Sequence, residues 1–326
     1  MKTVKKSRSI IVLSLLLAIL ALSAYSFYTE SDFFNNSPDV NKLETKQIVP
    51  WGVKSTNAPA LWPYVTGKGV KVAVLDSGFN YSHPDFGDNI REGYNAIEPG
   101  KPIDDEFGHG TSMCGVIAAK NNNFGVVGIA PDVELYPVKV LDKYGEGEIS
   151  DIVKGIDWCI ENNIQIINMS FALEKDVPLL KSAIEKAIDK GILIIASSGS
   201  TFNDKAGYPA SYEGVISVTA VDRKLKPGDF SASDKIDFSA PGIDIVSTSG
   251  DGSYENCGGT SIAASYITGL AALVMQNPQR FGLPEGDSCT RENVYSILKS
   301  FSKDLGIKGK DSIYGEGFVR LEDIKK

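Results

Sequence analysis

The stretch Cys257-Gly258-Gly259-Thr260-Ser261-Ile262-Ala263-Ala264-Ser265-Tyr266-Ile267-Thr268-Gly269-Leu270-Ala271-Ala272-Leu273-Val274-Met275 decides the fold. Paired glycines and small residues crowd around one hydroxyl, that of Ser261, and an apolar helical run follows at once. Glycine permits a sharp turn into a helix, and a helix start directs N–H groups and the positive end of its dipole at whatever sits there. A serine held at that point is placed for nucleophilic attack, because charge forming on a substrate oxygen is stabilised. The plainer alternative is that Ser261 is the N-cap of the helix it opens, accepting from an orphan donor.

Two further stretches supply what a nucleophilic serine needs, a base and a carboxylate to orient that base. Lys71-Val72-Ala73-Val74-Leu75-Asp76-Ser77-Gly78 reads as a buried parallel strand ending in a carboxylate and a glycine. Gly108-His109-Gly110-Thr111 sets an imidazole at the mouth of the next helix. The chain has only two histidines, so the choice of base is narrow. His83 lies in the polar turn Tyr81-Ser82-His83-Pro84-Asp85 and is expected to be structural.

The segments VAVLDSG, GHGTSMCGVIAA and GGTSIAAS resemble the Asp, His and Ser motifs of the subtilisin-like serine proteases, in that family's order along the chain. The resemblance runs from about Gln47 to the C-terminus. It implies an exported serine endopeptidase that cuts peptide bonds through an acyl-enzyme, with Asp76, His109 and Ser261 as the triad. The other class of reading is a pseudoprotease, a peptide-binding or self-protection module that keeps the cleft but does little chemistry.

The middle of the chain agrees with such a fold. VKVAVLD, VELYPVKVL, IQIINMS, ILIIASS, VISVTAV and DFSAPG read as strands, and GEISDIVKGIDWCIENN and VPLLKSAIEKAIDKG as amphipathic helices. Their alternation predicts an α/β fold, a three-layer sandwich with a mainly parallel β-sheet. In such folds ligands gather beyond the carboxyl ends of the strands, where Asp76, His109 and Ser261 are all expected to fall.

The resemblance also implies a substrate cleft and a metal. Gly145-Glu146-Gly147 resembles the strand that pairs with an extended peptide, and Ser170-Phe171-Ala172 the strand opposite. Ala172 and Leu173 stand where the family has paired glycines, which would reshape the primary pocket; Gly207-Tyr208-Pro209 matches the base of that pocket. Glu146 and Glu148 are either selectors for a basic residue upstream of the scissile bond or plain solvated side chains. In Ala196-Ser197-Ser198-Gly199-Ser200 the family's oxyanion asparagine is replaced by Ser200; Asn203 or a water could stand in. Loss of such a donor costs roughly 10²–10³ in turnover in this family. Ser265 also replaces a proline. Loop 120–126 has the family's calcium-loop spacing, which implies Ca²⁺ held by the Asn122 side chain, the carbonyls of Lys120, Phe124 and Val126, Asp85 and Gln47. An asparagine-rich turn without an ion is the alternative.

Composition bounds the rest. With 326 residues, 42% of them apolar, the chain fits one large globular domain. A net charge of −8 argues against nucleic acid as a partner, since phosphate binding needs a basic face. A peptide or protein substrate and a monomer are expected. Residues 1–27 carry Lys2, Lys5, Lys6 and Arg8 before an apolar run, Ile10 to Leu22, the pattern of a signal peptide or an uncleaved membrane anchor; either places the rest outside the cell, and membrane contact would come only through this segment. Residues 28–46 read as a linker too short to bury a core, so no folded pro-domain is expected there. The peptidase domain would then occupy 47–326. Of four cysteines, Cys114 and Cys159 are expected as buried thiols, while Cys257 and Cys289 could pair.

Overall fold

A computed structural model describes residues 46–200 and 205–324. The expected signal peptide or anchor at residues 1–27, most of the linker and Asn203 lie outside the described residues. At the centre is a nine-stranded sheet built from β1 (Lys71–Asp76), β2 (Tyr94–Asn95), β3 (Glu134–Lys139), β4 (Ile166–Met169), β5 (Leu193–Ser197), β6 (Ile216–Val221), β7 (Phe238–Pro241), β10 (Ser302–Lys303) and β11 (Phe318–Val319). Strand order is β10-β11-β7-β6-β5-β4-β1-β3-β2, parallel throughout except for the β10–β11 pair. Strands β8 (Ile245–Thr248) and β9 (Tyr254–Cys257) form a separate antiparallel hairpin.

The three layers follow from the strand period of two. In β1, Val72 and Val74 face one core while Ala73 and Leu75 face the other; in β5, Leu193 and Ile195 oppose Ile194 and Ala196 in the same way. Both faces are therefore apolar, as a parallel sheet covered by helices requires. One face packs on α3 (His109–Ala118) and α6 (Thr260–Gln276), the other on α4 (Ile149–Glu161) and α5 (Pro178–Asp189). Short helices α1 (Trp51–Ser55) and α2 (Ala58–Leu61) and the later α7 (Arg291–Ser300) join the first of these cores. Helix α6 is buried along nearly its whole length, from Ile262 to Val274, which explains its apolar sequence on all sides.

One question left open by the sequence is answered. Cys257 and Cys289 are not bridged: all four cysteines are free thiols. Cys257 is buried at the end of β9, where its thiol donates to the Ile245 carbonyl oxygen at 3.1 Å. Its partner in the β8 ladder thus satisfies the sulfur, whereas Cys289 lies half-buried in the loop before α7. Cys114 and Cys159 are buried thiols, as expected. Among the described residues no helix is long and apolar enough to cross a membrane.

Candidate active site

Two elements meet where β1 ends. Asp76 is the last residue of β1 and 1% exposed. His109 is the first residue of α3, and its Nδ1 lies 2.8 and 3.0 Å from the two Asp76 carboxylate oxygens. An imidazole nitrogen facing a carboxylate carries the proton, which leaves Nε2 as the basic nitrogen. Burial would push this imidazole's pKa down, but the carboxylates of Asp76, Asp105 and Glu255 outweigh it and the net shift is upward. Beside His109 opens a cavity of about 120 Å³, lined among others by Phe107, Met113, Glu255, Cys257 and Ile262.

Ser261 lies in the first turn of α6 and is not its N-cap. That position belongs to Gly259, whose φ of 136° is open to glycine and strained for other residues. Freed from capping, the Ser261 hydroxyl donates to the Ser170 carbonyl at 3.0 Å. Its own carbonyl accepts from the hydroxyls of Ser170 (3.2 Å) and Ser265 (3.1 Å). Among the described residues His109 is brought to Asp76, and no hydrogen bond joins it to Ser261, whose hydroxyl would have to leave the Ser170 carbonyl to reach a base. Ser265 sits inside the helix, and unlike proline it keeps the N–H that helix continuity needs.

The other predicted residues lie in the chain segments that follow β3, β4 and β5. Ser170, Phe171 and Ala172 follow β4; Leu173 exchanges both backbone hydrogen bonds with Tyr208 (2.7 and 2.8 Å), while Ala172 makes no backbone–backbone bond to another described residue. Gly207 is required by close approach: a Cβ there would lie 2.9 Å from that of Ala172 and 3.0 Å from the Leu173 oxygen. In the loop after β3, Glu146 uses both backbone groups on Asp142, and its side chain is exposed between buried Gly145 and half-buried Gly147. Gly199 is buried and Ser200 half-buried at the exit of β5. His83 is structural: a backbone N–H (Asp85) donates to its Nδ1, so Nε2 carries the hydrogen and donates to the Ser253 carbonyl at 2.9 Å.

The loop at 120–126 gathers oxygens. The Gln47 amide nitrogen is surrounded by the carbonyls of Lys120 (2.8 Å), Phe124 (3.3 Å) and Val126 (3.3 Å) and by the Asn122 side-chain oxygen (3.1 Å). Asp85 adjoins them, accepting from Asn122 and from the Val126 N–H. Its burial raises the carboxyl pKa, an effect only partly offset by those bonds. Among the described residues no cluster of three or more His, Cys, Asp or Glu side chains could hold a metal, so any ion here would rest mainly on carbonyls.

Two contributors are missed by the sequence reading. Asn168, a lone amide in the apolar strand β4, donates to the Ser170 hydroxyl and accepts from Thr268 of α6, both at 2.9 Å. Asp105, four residues before His109, is buried beneath the first turn of α3. A polar residue in an otherwise apolar strand was the available signal for the first; the second has none in the sequence beyond its proximity to His109.

Residues 67–317 match the family model described as the subtilase family. The chain belongs to the subtilase family. It is 40% identical over 288 residues to subtilisin E of Bacillus subtilis, an alignment covering 86% of this chain and 72% of that one. It is likewise 40% identical over 285 residues to a subtilisin of Bacillus pumilus, covering 85% and 98%. The M-protease of Shouchella clausii is 38% identical over 288 residues, covering 87% and 72%. The nine-stranded, mainly parallel sheet between two helical layers agrees with membership of this subtilase family.

Proposed function

We propose that this subtilase is an exported, calcium-stabilised serine endopeptidase, dedicated to processing peptides. The observation that carries the reading is the Asp76 carboxylate held against His109 Nδ1 by two contacts, beside a cavity that Gly258 and Ile262, on either side of Ser261 in the chain, help to line. In the mechanism, Ser261 attacks the scissile carbonyl as His109 Nε2 takes its proton. Asp76 fixes the tautomer and stabilises the imidazolium without itself taking the proton, and His109 then protonates the leaving amine. The acyl-enzyme is hydrolysed by water through the same proton transfers.

An extended peptide would pair with the backbone at Ala172 and with the loop at Gly145 and Gly147. The methyl of Ala172 facing Gly207 narrows the primary pocket and favours small residues there. Glu146 and Glu148 favour a basic residue further upstream. The oxyanion would be held by the Ser261 N–H and the dipole of α6, with Ser200 a short-armed donor at best. These features point to a slow, selective enzyme.

The oxygens around Gln47 fit a calcium ion. Its amide nitrogen has two hydrogens and meets four acceptors within 3.3 Å; turning the amide over would present Oε1 to the same oxygens, an arrangement that a hard cation stabilises. Lys120, Asn122, Phe124, Val126, Asp85 and Gln47 would hold it, and its contribution is structural. Export rests on the basic flank and apolar run at residues 1–27.

Labelling with a fluorophosphonate, which needs an activated serine, tests the enzyme. Wild-type protein is expected to react at Ser261 and Ser261→Ala to remain unlabelled. Equal labelling of the two, or none of either, would refute it.

A further inference from the structure

Helix α3 has a structural problem: its N-cap is Gly108, at φ 91°, which has no side chain to accept from the orphan N–H groups of the first turn. Those of Gly110 and Thr111, and the N–H of Gly108 itself, are nevertheless satisfied. The Gly108 N–H donates to Asp105 Oδ1 at 2.8 Å, and the Thr111 N–H and hydroxyl both donate to Asp105 Oδ2 at 2.7 Å. The Gly110 N–H donates to the Ser77 hydroxyl at 3.0 Å, and that hydroxyl donates in turn to Asp105 Oδ1 at 2.7 Å. One carboxylate, 8% exposed, thus does the work of the missing cap.

Its second effect is on register between elements. Ser77 directly follows Asp76, so the bond from Ser77 to Asp105 ties the end of β1 to the start of α3. The orienting carboxylate and the imidazole are carried on those two ends. Lys139 of β3 secures the same loop from the other side, donating to the carbonyls of Ser77 and Asp104 and to the Glu106 carboxylate. Backbone amides and a hydroxyl around a buried carboxylate are charge-assisted bonds, short and directional.

We propose that Asp105 is a positioning residue for His109, fixing the imidazole against Asp76 by capping α3 and tying it to Ser77. Asp105 touches neither substrate nor reacting atoms. The charged and titratable groups around His109 are Asp76 on β1, Asp105 in the loop before α3, and Glu255 and Cys257 on β9, with Lys139 of β3 behind the loop. Replacing Asp105 by Asn keeps the shape but turns an acceptor into a donor facing donors, and removes one of the negative charges that favour the imidazolium.

The test uses nitrogen-15 histidine NMR, since His83 is the only other histidine and serves as an internal reference. In Asp105→Asn the His109 titration midpoint is expected to move to lower pH and its downfield Nδ1 proton signal to weaken or vanish, with His83 unchanged. Ser77→Ala should weaken that proton signal, and Ser77→Thr should keep it; these variants serve if Asp105→Asn does not fold. The kinetic arm rests on the endopeptidase reading: turnover per titrated site should fall about tenfold or more, with KM within twofold. Unmoved His109 signals in folded Asp105→Asn or Ser77→Ala protein would overturn the proposal. Shifted signals in a protein whose wild type cleaves nothing would instead sink the endopeptidase reading and leave the positioning role standing.

Discussion

Ser200 is the single side chain on which the rate should turn. A serine hydroxyl reaches about one bond less far than an asparagine amide, and a preorganised donor acts only if it meets the oxyanion itself. Ser200→Asn is therefore expected to raise turnover by roughly 10² if no other donor serves, with no change in thermal midpoint. Steady-state kinetics on a peptide ester and on an amide would check it; an unchanged rate would mean that another group already fills the position. At the residue scale the sequence was legible in setting Asp76, His109 and Ser261 at element boundaries, each beside small residues. It was least legible for Asp105 and Asn168, whose partners lie in other elements: Ser77 on one side, Thr268 on the other. A carboxylate in a loop and an amide in a strand look the same in sequence whether they are solvated or buried.

At the scale of elements, α3 is held where it is by the hairpin β8–β9 as much as by the sheet. The Ser247 and Thr248 hydroxyls of β8 donate to the carbonyls of Ser112 and Thr111, at 2.7 and 2.8 Å. The helix can come this close because residue 115 is glycine: a Cβ there would lie 2.2 Å from the Thr248 oxygen and 2.7 Å from that of Ser247. Gly115→Ala should cost about 1–3 kcal/mol by overpacking, read as a lower midpoint in urea at unchanged slope. Activity should fall with it, since α3 carries His109. The strands of the sheet and helices α4 and α5 could be read from their periodicity, because burial on one or two faces imposes it. The hairpin could not, since Tyr254, Glu255 and Asn256 are only half-buried; α7 was legible but passed over, with Val294, Ile297 and Leu298 at i, i+3 and i+4 behind the N-cap Thr290.

Taken whole, the molecule is closed by contacts between distant parts of the chain. Near the start of the described chain, Gln47 reaches residues 120–126; near its end, the Leu321 N–H donates to the Thr56 carbonyl and the Asn57 side chain to the Leu321 carbonyl. An ion at the Gln47 cage would bind only the folded chain and stabilise it by mass action, about 2.7 kcal/mol at a concentration one hundredfold above Kd. Chelator should accordingly lower the thermal midpoint of wild type, and added Ca²⁺ restore it, while Asp85→Asn should lose most of that response. Equal midpoints with and without chelator would remove calcium from the account.

Sequence alone determined the layered α/β architecture and the family, because a sheet buried on both faces and three motifs in fixed order leave marks that depend on near neighbours in the chain. It left the state of Cys257 open, and the tertiary structure decided it: pairing depends on which groups surround a sulfur, and here a β8 carbonyl does. The structure likewise decided that Gly259, and not Ser261, caps α6, and that one carboxylate at 105 joins a strand end to a helix start. Such links are made through space, between residues whose separation along the polymer carries no record of the distance between them.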